Sequence, residues 1–322
     1  MKNIKKIIIV NVISTIVLLI FAEILLGIIG RKQFHEEYPH NKILPVYRYK
    51  GPDLNLDHYK CNVKNNCMWQ FREPVGLEYK TPPIVIFGCS FAHGHYLKKT
   101  QTFGYKLSKL TKRPVYNRAL QGKGLAQMLR QTEDEHFYET VPEADTYIYI
   151  IISDTFRRML TYKFNPAEPY FSYHYKYDKK HNDLVPDKYD NKFINLLKST
   201  YLAGYFNAHM AKYILKNHKN DDYVANIAAL HFIKAKENIE KHYNKKKEFI
   251  VIFYDHPWEL PFAYYLCPKL IQNGFKIVKT NALTNEKITN DEKYYQDNHP
   301  TEESWDLLTP LIIEAGDIKV YK

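Results

Sequence analysis

Ser90 stands in a sequence context that suits a nucleophile. It follows an apolar run of β-branched and aromatic residues, IVIF over 84–87, and lies within the segment GCSFAHG over 88–94. A serine hydroxyl becomes a good nucleophile only when a base accepts its proton, and an imidazole with a pKa of about 6.5 can do so at neutral pH. Ser90 alone in a strand-end turn is an ordinary structural serine, so a catalytic role depends on partners elsewhere in the chain.

A base and a carboxylate occur together near the C-terminus, in the sequence DNHP over 297–300. Asp297 is predicted to orient the base and His299 to be that base, because a hydrogen-bonded carboxylate fixes the imidazole tautomer and stabilises the imidazolium. Pro300 is expected in the first turn of the last helix. The similar sequence Asp-His-Pro over 255–257 also follows a predicted strand, and it ranks second.

Two further segments could stabilise the oxyanion that an attacking serine creates. Gly122 and Gly124 follow a short predicted strand, and glycine lets a backbone N–H approach a substrate closely. The alternative is that these glycines only permit a tight strand-to-helix turn. Ser153 follows the next predicted strand and offers a hydroxyl donor, but the Asp154 carboxylate beside it would repel an oxyanion. His93 and His95 are interpreted as residues at the rim of a pocket.

The elements that must hold these residues alternate between strands and helices. Such alternation predicts a parallel sheet covered on both faces, with sites beyond the carboxyl ends of the strands. The predicted strands are 84–88, 115–117, 146–152, 249–254 and 275–279, and the predicted helices are 103–110, one from about 124, 223–243, 260–272 and one from about 302. Ser90, Gly122 and Ser153 each fall just after a strand.

With these pieces in order, residues 82 to 316 resemble the SGNH (GDSL-like) hydrolase family. The matching motifs are GCSFAHG, N-x-A-x-x-G-x-G, SD after the third strand, and DNHP. The resemblance implies a flavodoxin-like three-layer α/β/α domain. It implies Ser90 as nucleophile and first backbone oxyanion donor, Gly122 as second donor, His299 as base and Asp297 as its orienter. Ser153 stands where the family has an Asn donor, and Cys89 stands where the family has an Asp.

The N-terminal residues 7–29 carry a single ionisable side chain, Glu23. A helix of this length rises ~35 Å, enough to cross a hydrocarbon core of ~30 Å. We therefore predict an uncleaved transmembrane anchor, with a cleaved signal peptide as the rival interpretation. Lysines before the run favour a cytoplasmic N-terminus and an extracytoplasmic catalytic domain, a single-pass membrane protein. Glu23 either contacts a partner helix or reaches the outer interface.

The predicted domain organisation is an anchor over 1–30, a connecting segment over 31–80 and the SGNH-like domain over 81–322, with an insertion at about 156–220. Of four cysteines, Cys61 and Cys67 could close a short disulfide loop, whereas Cys89 and Cys267 are expected to be buried thiols. No metal or other cofactor is expected, because no ligand set is evident.

The formal net charge of +11 favours anionic surroundings, such as a membrane surface or an acidic polysaccharide. Nucleic acid is not an expected partner, because no zinc-finger, RRM or basic-helix motif occurs. The resemblance implies a serine esterase that removes acetyl groups from an extracytoplasmic glycan or another ester substrate. The alternatives are an O-acetyltransferase of cell-surface polysaccharide, a lipid-acting esterase, and a non-catalytic glycan-binding or assembly protein. Protein partners are not predicted.

Overall fold

The structure is a computed structural model that describes residues 11–25, 71–95, 97–160, 175–186, 213, 221–254, 263–284, 293–296 and 299–321. The chain divides into two compact units. One unit contains the sheet and the candidate catalytic residues. The other contains a helix over 11–25, α1.

The sheet unit alternates strands and helices as its sequence predicts. Its described helices are α2 (Ser90–His93), α3 (Phe103–Thr111), α4 (Leu125–Thr132), α5 (Glu135–Thr140), α6 (Ser153–Leu160), α7 (Asp221–Tyr243), α8 (Ala263–Gln272) and α9 (Glu302–Ala315), with 3-10 turns at Lys99–Gln101 and Thr280–Ala282. Its described strands are β1 (Ile84–Gly88), β2 (Val115–Asn117), β3 (Thr146–Ile151), β4 (Tyr175–Asp178), β5 (Asp183–Pro186), β6 (Glu248–Phe253), β7 (Phe275–Lys279), β8 (Tyr295–Gln296) and β9 (His299–Pro300).

Five strands form one parallel sheet in the order β2-β1-β3-β6-β7. This is the 2-1-3-4-5 order of flavodoxin-like doubly wound sheets, in which the strand order reverses beside the first strand. The predicted α/β class with a parallel sheet is confirmed. The carboxyl ends of β2, β1 and β3 lie side by side, so the loops that follow these strands meet at one edge.

Both faces of the sheet are buried, which explains the continuous apolar strands. Ile84 and Ile86 of β1 belong to a core with Phe103 of α3 and Trp305 of α9. The alternate side chains of β1 point to the opposite face, where they share a second core with α4 and α7. Helices therefore cover the sheet on both sides, and the two cores hold the strands in register.

The structure corrects two details of the predicted elements. Pro300 lies in β9 and not in the first turn of the last helix, which begins at Glu302 with Thr301 as its N-cap. The predicted strand 146–152 ends at Ile151, because the next residues turn into α6, a helix that the sequence analysis did not predict.

The predicted insertion at about 156–220 is described only in part. Its described residues include the end of α6, the antiparallel hairpin β4–β5 and Tyr213. Leu184 of β5 is buried in the core that α7 shares, so the hairpin packs on the sheet domain. The boundaries of the insertion and of the segment over 31–80 stay predictions.

Residues 71–80 extend the sheet beside β2. Val75 and Val115 exchange backbone hydrogen bonds of 3.1 and 2.9 Å in an antiparallel bridge. This bridge covers an otherwise open strand edge. Cys61 and Cys67 lie outside the described residues, and Cys89 and Cys267 are buried, as predicted.

Most exposed side chains of helix α1 are apolar, such as Leu18 and Phe21, and Asn11, Ser14 and Thr15 are exposed polar residues. Residues 7–10 and 26–29 of the predicted anchor lie outside the described residues. Within the described ranges, no helix combines the length and apolar character that crossing a membrane requires.

Candidate active site

The turn that carries Ser90 depends on Gly88. Gly88 ends β1 with a φ of +146°, and a Cβ there would lie 2.7 Å from the Cβ of Ala92 and 2.9 Å from the carbonyl oxygen of Ile150. Only glycine fits this close approach of β1, β3 and α2. The chain can therefore turn at once from the strand into α2, and Ser90 becomes the first residue of that short helix.

His299 meets Ser90 directly. Its Nε2 lies 2.8 Å from Ser90 Oγ, within hydrogen-bond distance. The imidazole is packed between aromatic rings, with ring-centroid distances of 5.2 Å to Phe91 and 4.8 Å to His95. Backbone pairing of His299 with Gln296 fixes the strand that presents the ring. The two side chains that the sequence analysis selected 209 positions apart thus form one pair.

Asp297, the predicted orienter of His299, lies outside the described residues, as does the alternative sequence over 255–257. The third member of the predicted triad stays a prediction.

Gly122 lies in the loop after β2, next to the strand that carries Ser90. Its φ is +68°, and a Cβ at this position would meet nothing within 4 Å. The left-handed backbone, and not a lack of space, therefore favours glycine. Among the described residues, no acceptor is hydrogen-bonded to the backbone N–H of Gly122 or of Ser90. These two N–H groups are the candidate oxyanion donors.

Asn117 ties the Gly122 loop to the nucleophile helix. Its Nδ2 donates a 2.7 Å hydrogen bond to the carbonyl of Ala92 in α2, and its Oδ1 accepts one of 3.1 Å from the N–H of Ala119. Asn117 is buried, so both of its polar groups are satisfied within the protein. Asn117, the first residue of N-x-A-x-x-G-x-G, therefore holds the loop after β2 against α2.

Ser153 is the first residue of α6 and follows the carboxyl end of β3. Its hydroxyl forms no hydrogen bond with a described residue. The neighbouring Asp154, which the sequence analysis expected to repel an oxyanion, is paired with Arg158 at 2.5 Å. This pairing offsets the negative charge that Asp154 brings to the site.

Two histidines flank the pair, and their environments differ. His93 is buried at the end of α2, with its Nδ1 3.4 Å from Gln121 Nε2. His95 is partly exposed beside the His299 ring. Burial, with smaller effects of His299 and His93, lowers the pKa of His95 to about 4. His95 is therefore neutral at physiological pH and adds no charge beside His299.

Arg72 was not among the predicted site residues, yet it binds the loop that follows α2. Its guanidinium donates to the carbonyls of His93 at 2.9 Å, Gly94 at 2.5 Å and Leu97 at 2.8 Å. Arg72 lies in a Tyr- and Pro-rich stretch without periodicity, so no local signal distinguishes it. Across the described ranges, no group of three or more His, Cys, Asp or Glu side chains is arranged to hold a metal ion.

No profile of a known protein family matches the sequence, and no curated protein sequence matches it. Several solved structures are similar to this chain. A member of the lipolytic protein G-D-S-L family from Veillonella parvula is 11% identical with a TM-score of 0.41, over 73% of this chain and 97% of that one. The lipase Lip_vut3 from a goat rumen metagenome is 12% identical with a TM-score of 0.42, over 73% of this chain and 98% of that one. A catalytic mutant of Axe2, an acetylxylan esterase from Geobacillus stearothermophilus, is 11% identical with a TM-score of 0.40, over 76% of this chain and 98% of that one.

Proposed function

We propose that the chain is a serine esterase of SGNH type that forms an acyl-enzyme on Ser90. The observation that carries this proposal is the 2.8 Å distance between His299 Nε2 and Ser90 Oγ. A serine, a base within hydrogen-bond reach and backbone N–H groups proposed to donate to the oxyanion are the parts that acyl transfer requires.

The first half of the reaction acylates Ser90. His299 Nε2 accepts the Ser90 proton as Oγ attacks the ester carbonyl, and the carbonyl oxygen becomes an oxyanion. The N–H groups of Ser90 and Gly122 and the Ser153 hydroxyl donate to this oxyanion. The bond to the leaving alcohol then breaks, and the imidazolium returns its proton to the departing oxygen.

The second half releases the acyl group. Water attacks the acyl-enzyme while His299 accepts one of its protons, and a second oxyanion forms on the same donors. Its collapse breaks the bond to Ser90 Oγ, which regains its proton from His299. A carboxylic acid leaves, and the site returns to its starting state. Asp297 is proposed to hold the His299 tautomer in which Nδ1 carries the proton.

The proposed substrate is an acylated carbohydrate outside the cytoplasm, with acetyl as the acyl group. The net charge of +11 supports anionic surroundings. Residues 7–29 are proposed to anchor the protein in a membrane with its N-terminus in the cytoplasm. The exposed apolar side chains of α1 support this, because a predominantly apolar helix is suited to lipid or to a buried position. If a sugar hydroxyl replaces water as acceptor, the same residues perform O-acetyl transfer.

The test compares full-length wild type with Ser90→Ala and His299→Ala in detergent, using an activated acetyl ester. Each substitution should lower kcat by ~10⁴-fold or more, because the two side chains act as a unit. His136→Ala is the matched control, since His136 lies on α5 with an exposed partner, Glu139. Adding an acetylated glycan and measuring free acetate against acetylated acceptor separates hydrolysis from transfer.

The proposal requires that wild type hydrolyses the activated acetyl ester and that Ser90→Ala does not. Labelling of wild type by a fluorophosphonate should likewise disappear in Ser90→Ala. Equal turnover or equal labelling in the two proteins would overturn the assignment of Ser90.

A further inference from the structure

Arg158 lies against the loop that contains Gly122, a proposed oxyanion donor. It lies on α6, one turn after Asp154, and its side chain is only 12% exposed. Nη2 lies 2.5 Å from Asp154 Oδ2, and Nη1 donates a 3.3 Å hydrogen bond to the backbone carbonyl of Lys123. One guanidinium therefore connects the helix that begins at Ser153 to the loop that contains Gly122.

The Gly122 loop packs tightly against this arginine. Lys123 directly follows Gly122, so its carbonyl belongs to the backbone that must aim the Gly122 N–H. A Cβ at Gly124 would lie 3.2 Å from both the Cβ of Arg158 and the carbonyl oxygen of Thr155. Glycine at this position allows the loop to touch α6. Gly124 thus allows the loop after β2 to pack against α6, whereas Gly122 allows the left-handed backbone turn.

The charge of Arg158 also reaches the residue before the nucleophile. Burial raises the pKa of the Cys89 thiol, the positive Arg158 opposes that rise, and Asp154 adds to it. Burial likewise raises the pKa of Tyr149, and Arg158 opposes this effect as well. Cys89 is fully buried, so an electrostatic effect of Arg158 there is exerted through protein and is weakly screened.

We propose that Arg158 is a positioning residue of the oxyanion site. It fixes the Lys123 carbonyl, and hence the Gly122 N–H, against α6, and its positive charge cancels that of Asp154 beside Ser153. This inference rests on the proposed esterase function and explains how a site with Ser-Asp after its third strand tolerates a nearby carboxylate. The positive charge of Arg158 then reduces the repulsion between the Asp154 carboxylate and the negative charge that develops in the transition state.

The proposal predicts effects that depend on charge and not only on contact. Arg158→Met substitutes an unbranched apolar side chain and removes the positive charge that lies 2.5 Å from Asp154. We expect kcat to fall about 10- to 100-fold with KM within about threefold, since misplaced or repelled donors act mainly on the transition state. Arg158→Lys, which keeps the charge, should retain more of kcat than Arg158→Met. Adding Asp154→Asn to Arg158→Met should restore about tenfold of the loss, because the repelling carboxylate is gone.

The matched control is Lys236→Met on α7. Lys236 and Glu240 form an i,i+4 ion pair at 2.9 Å whose side chains are 14% and 15% exposed. Its loss should lower stability without changing kcat. All variants are compared as full-length protein in detergent on the activated acetyl ester, with thermal unfolding to correct for the folded fraction.

Each result bears on one of two hypotheses. Wild-type turnover that is unaffected by Ser90→Ala would overturn the proposed function and, with it, this inference. If wild-type turnover depends on Ser90 but Arg158→Met retains kcat within threefold, only the role of Arg158 is overturned. The same conclusion follows if the double variant is no faster than Arg158→Met. Partial recovery in the double variant, with a lysine variant of intermediate rate, supports the proposal.

Discussion

Two arginine–carboxylate pairs lie at opposite ends of the parallel strands, Arg113–Asp145 at the amino ends and Arg158–Asp154 at the carboxyl ends. We call these two ends of the sheet its amino edge and its carboxyl edge. The two arginines bind different segments. At the amino edge, Arg113 is fully buried, donates to the carbonyls of Pro82 at 2.8 Å and Pro83 at 3.1 Å, and pairs with Asp145. These residues enter β1 and β3. At the carboxyl edge, Arg158 contacts Asp154 and the Lys123 carbonyl, which lie in the segments that follow β3 and β2. The proposed chemistry occurs beside these segments.

This difference separates stability from activity within one sheet. The amino-edge arginine binds carbonyls of proline-containing segments that have no candidate catalytic side chain, so its contribution is to strand alignment. The carboxyl-edge arginine supports loops whose N–H groups are left for a substrate. Substitutions at the two edges should therefore change different measured quantities, and three tests follow from this.

The largest effect is expected at the amino edge. Arg113→Met removes the positive partner of Asp145 and leaves the Pro82 and Pro83 carbonyls without their donor. We expect a loss of about 2–3 kcal/mol in the free energy of unfolding, because the Pro82 and Pro83 carbonyls lose their donor, whereas the Asp145 side chain is 41% exposed and can be hydrated. The kcat of the folded fraction should stay within about twofold. Arg130→Met, which breaks a half-exposed pair with Glu133, is the control and should cost less than about 1 kcal/mol. A kcat loss in folded Arg113→Met would contradict the separation of the two edges.

A second test compares two left-handed glycines. Gly122 has a φ of +68° and Gly274 a φ of +78°, and a Cβ at either position would meet nothing within 4 Å. Gly122→Ala and Gly274→Ala should each lose about 1–2 kcal/mol of stability through backbone strain. Only Gly122→Ala should lose kcat, by about 10- to 100-fold, because its N–H is re-aimed. Equal kcat values in the two folded variants would remove Gly122 from the oxyanion site.

The effect expected to be smallest at neutral pH concerns His231, which lies at neither edge. Burial lowers its pKa to about 4, and its Nδ1–H donates to the carbonyl of Ile227 at 2.8 Å. Below the unfolded pKa of about 6.5, the unfolded state binds more protons, so stability is lost as the pH falls from about 6.5 to 4. This loss is at most about 1.4 kcal/mol per pH unit for one histidine.

In denaturant unfolding of His231→Gln across this pH range, the slope of the free energy of unfolding against pH should fall by the equivalent of up to one proton. The kcat should be unchanged. An unaltered slope would mean that His231 is not the group responsible.

The sequence predicts the strands well because burial on both faces imposes a simple pattern. Ile84–Gly88, Val115–Asn117 and Phe275–Lys279 agree with the predicted bounds to the residue. The pairing of Ser90 with His299 was predicted from the strand-end position of Ser90 and from the DNHP motif before the last helix. Asp297 remains a prediction, because it lies outside the described residues.

Other features depend on tertiary structure and leave little local signal. Helix α5 has only six residues, too short for a clear apolar period, and α6 overlaps the start of the segment that was predicted to be an insertion. The Asp154–Arg158 spacing of four is visible in the sequence, but the bond to the Lys123 carbonyl depends on how the Gly122 loop folds back. The same holds for Arg72, whose three acceptors are backbone carbonyls that no sequence pattern identifies.

The wide separation of Ser90 and His299 along the chain has a consequence for biogenesis. During synthesis the nucleophile leaves the ribosome more than two hundred residues before its base. Non-local contacts of this kind form late, since the intervening chain must first be ordered. A nascent chain that has not yet reached β9 therefore carries Ser90 without the base proposed for it. On the proposed mechanism, acyl transfer requires the segment that contains β9 to have docked, so reaction at Ser90 begins only after this late contact has formed.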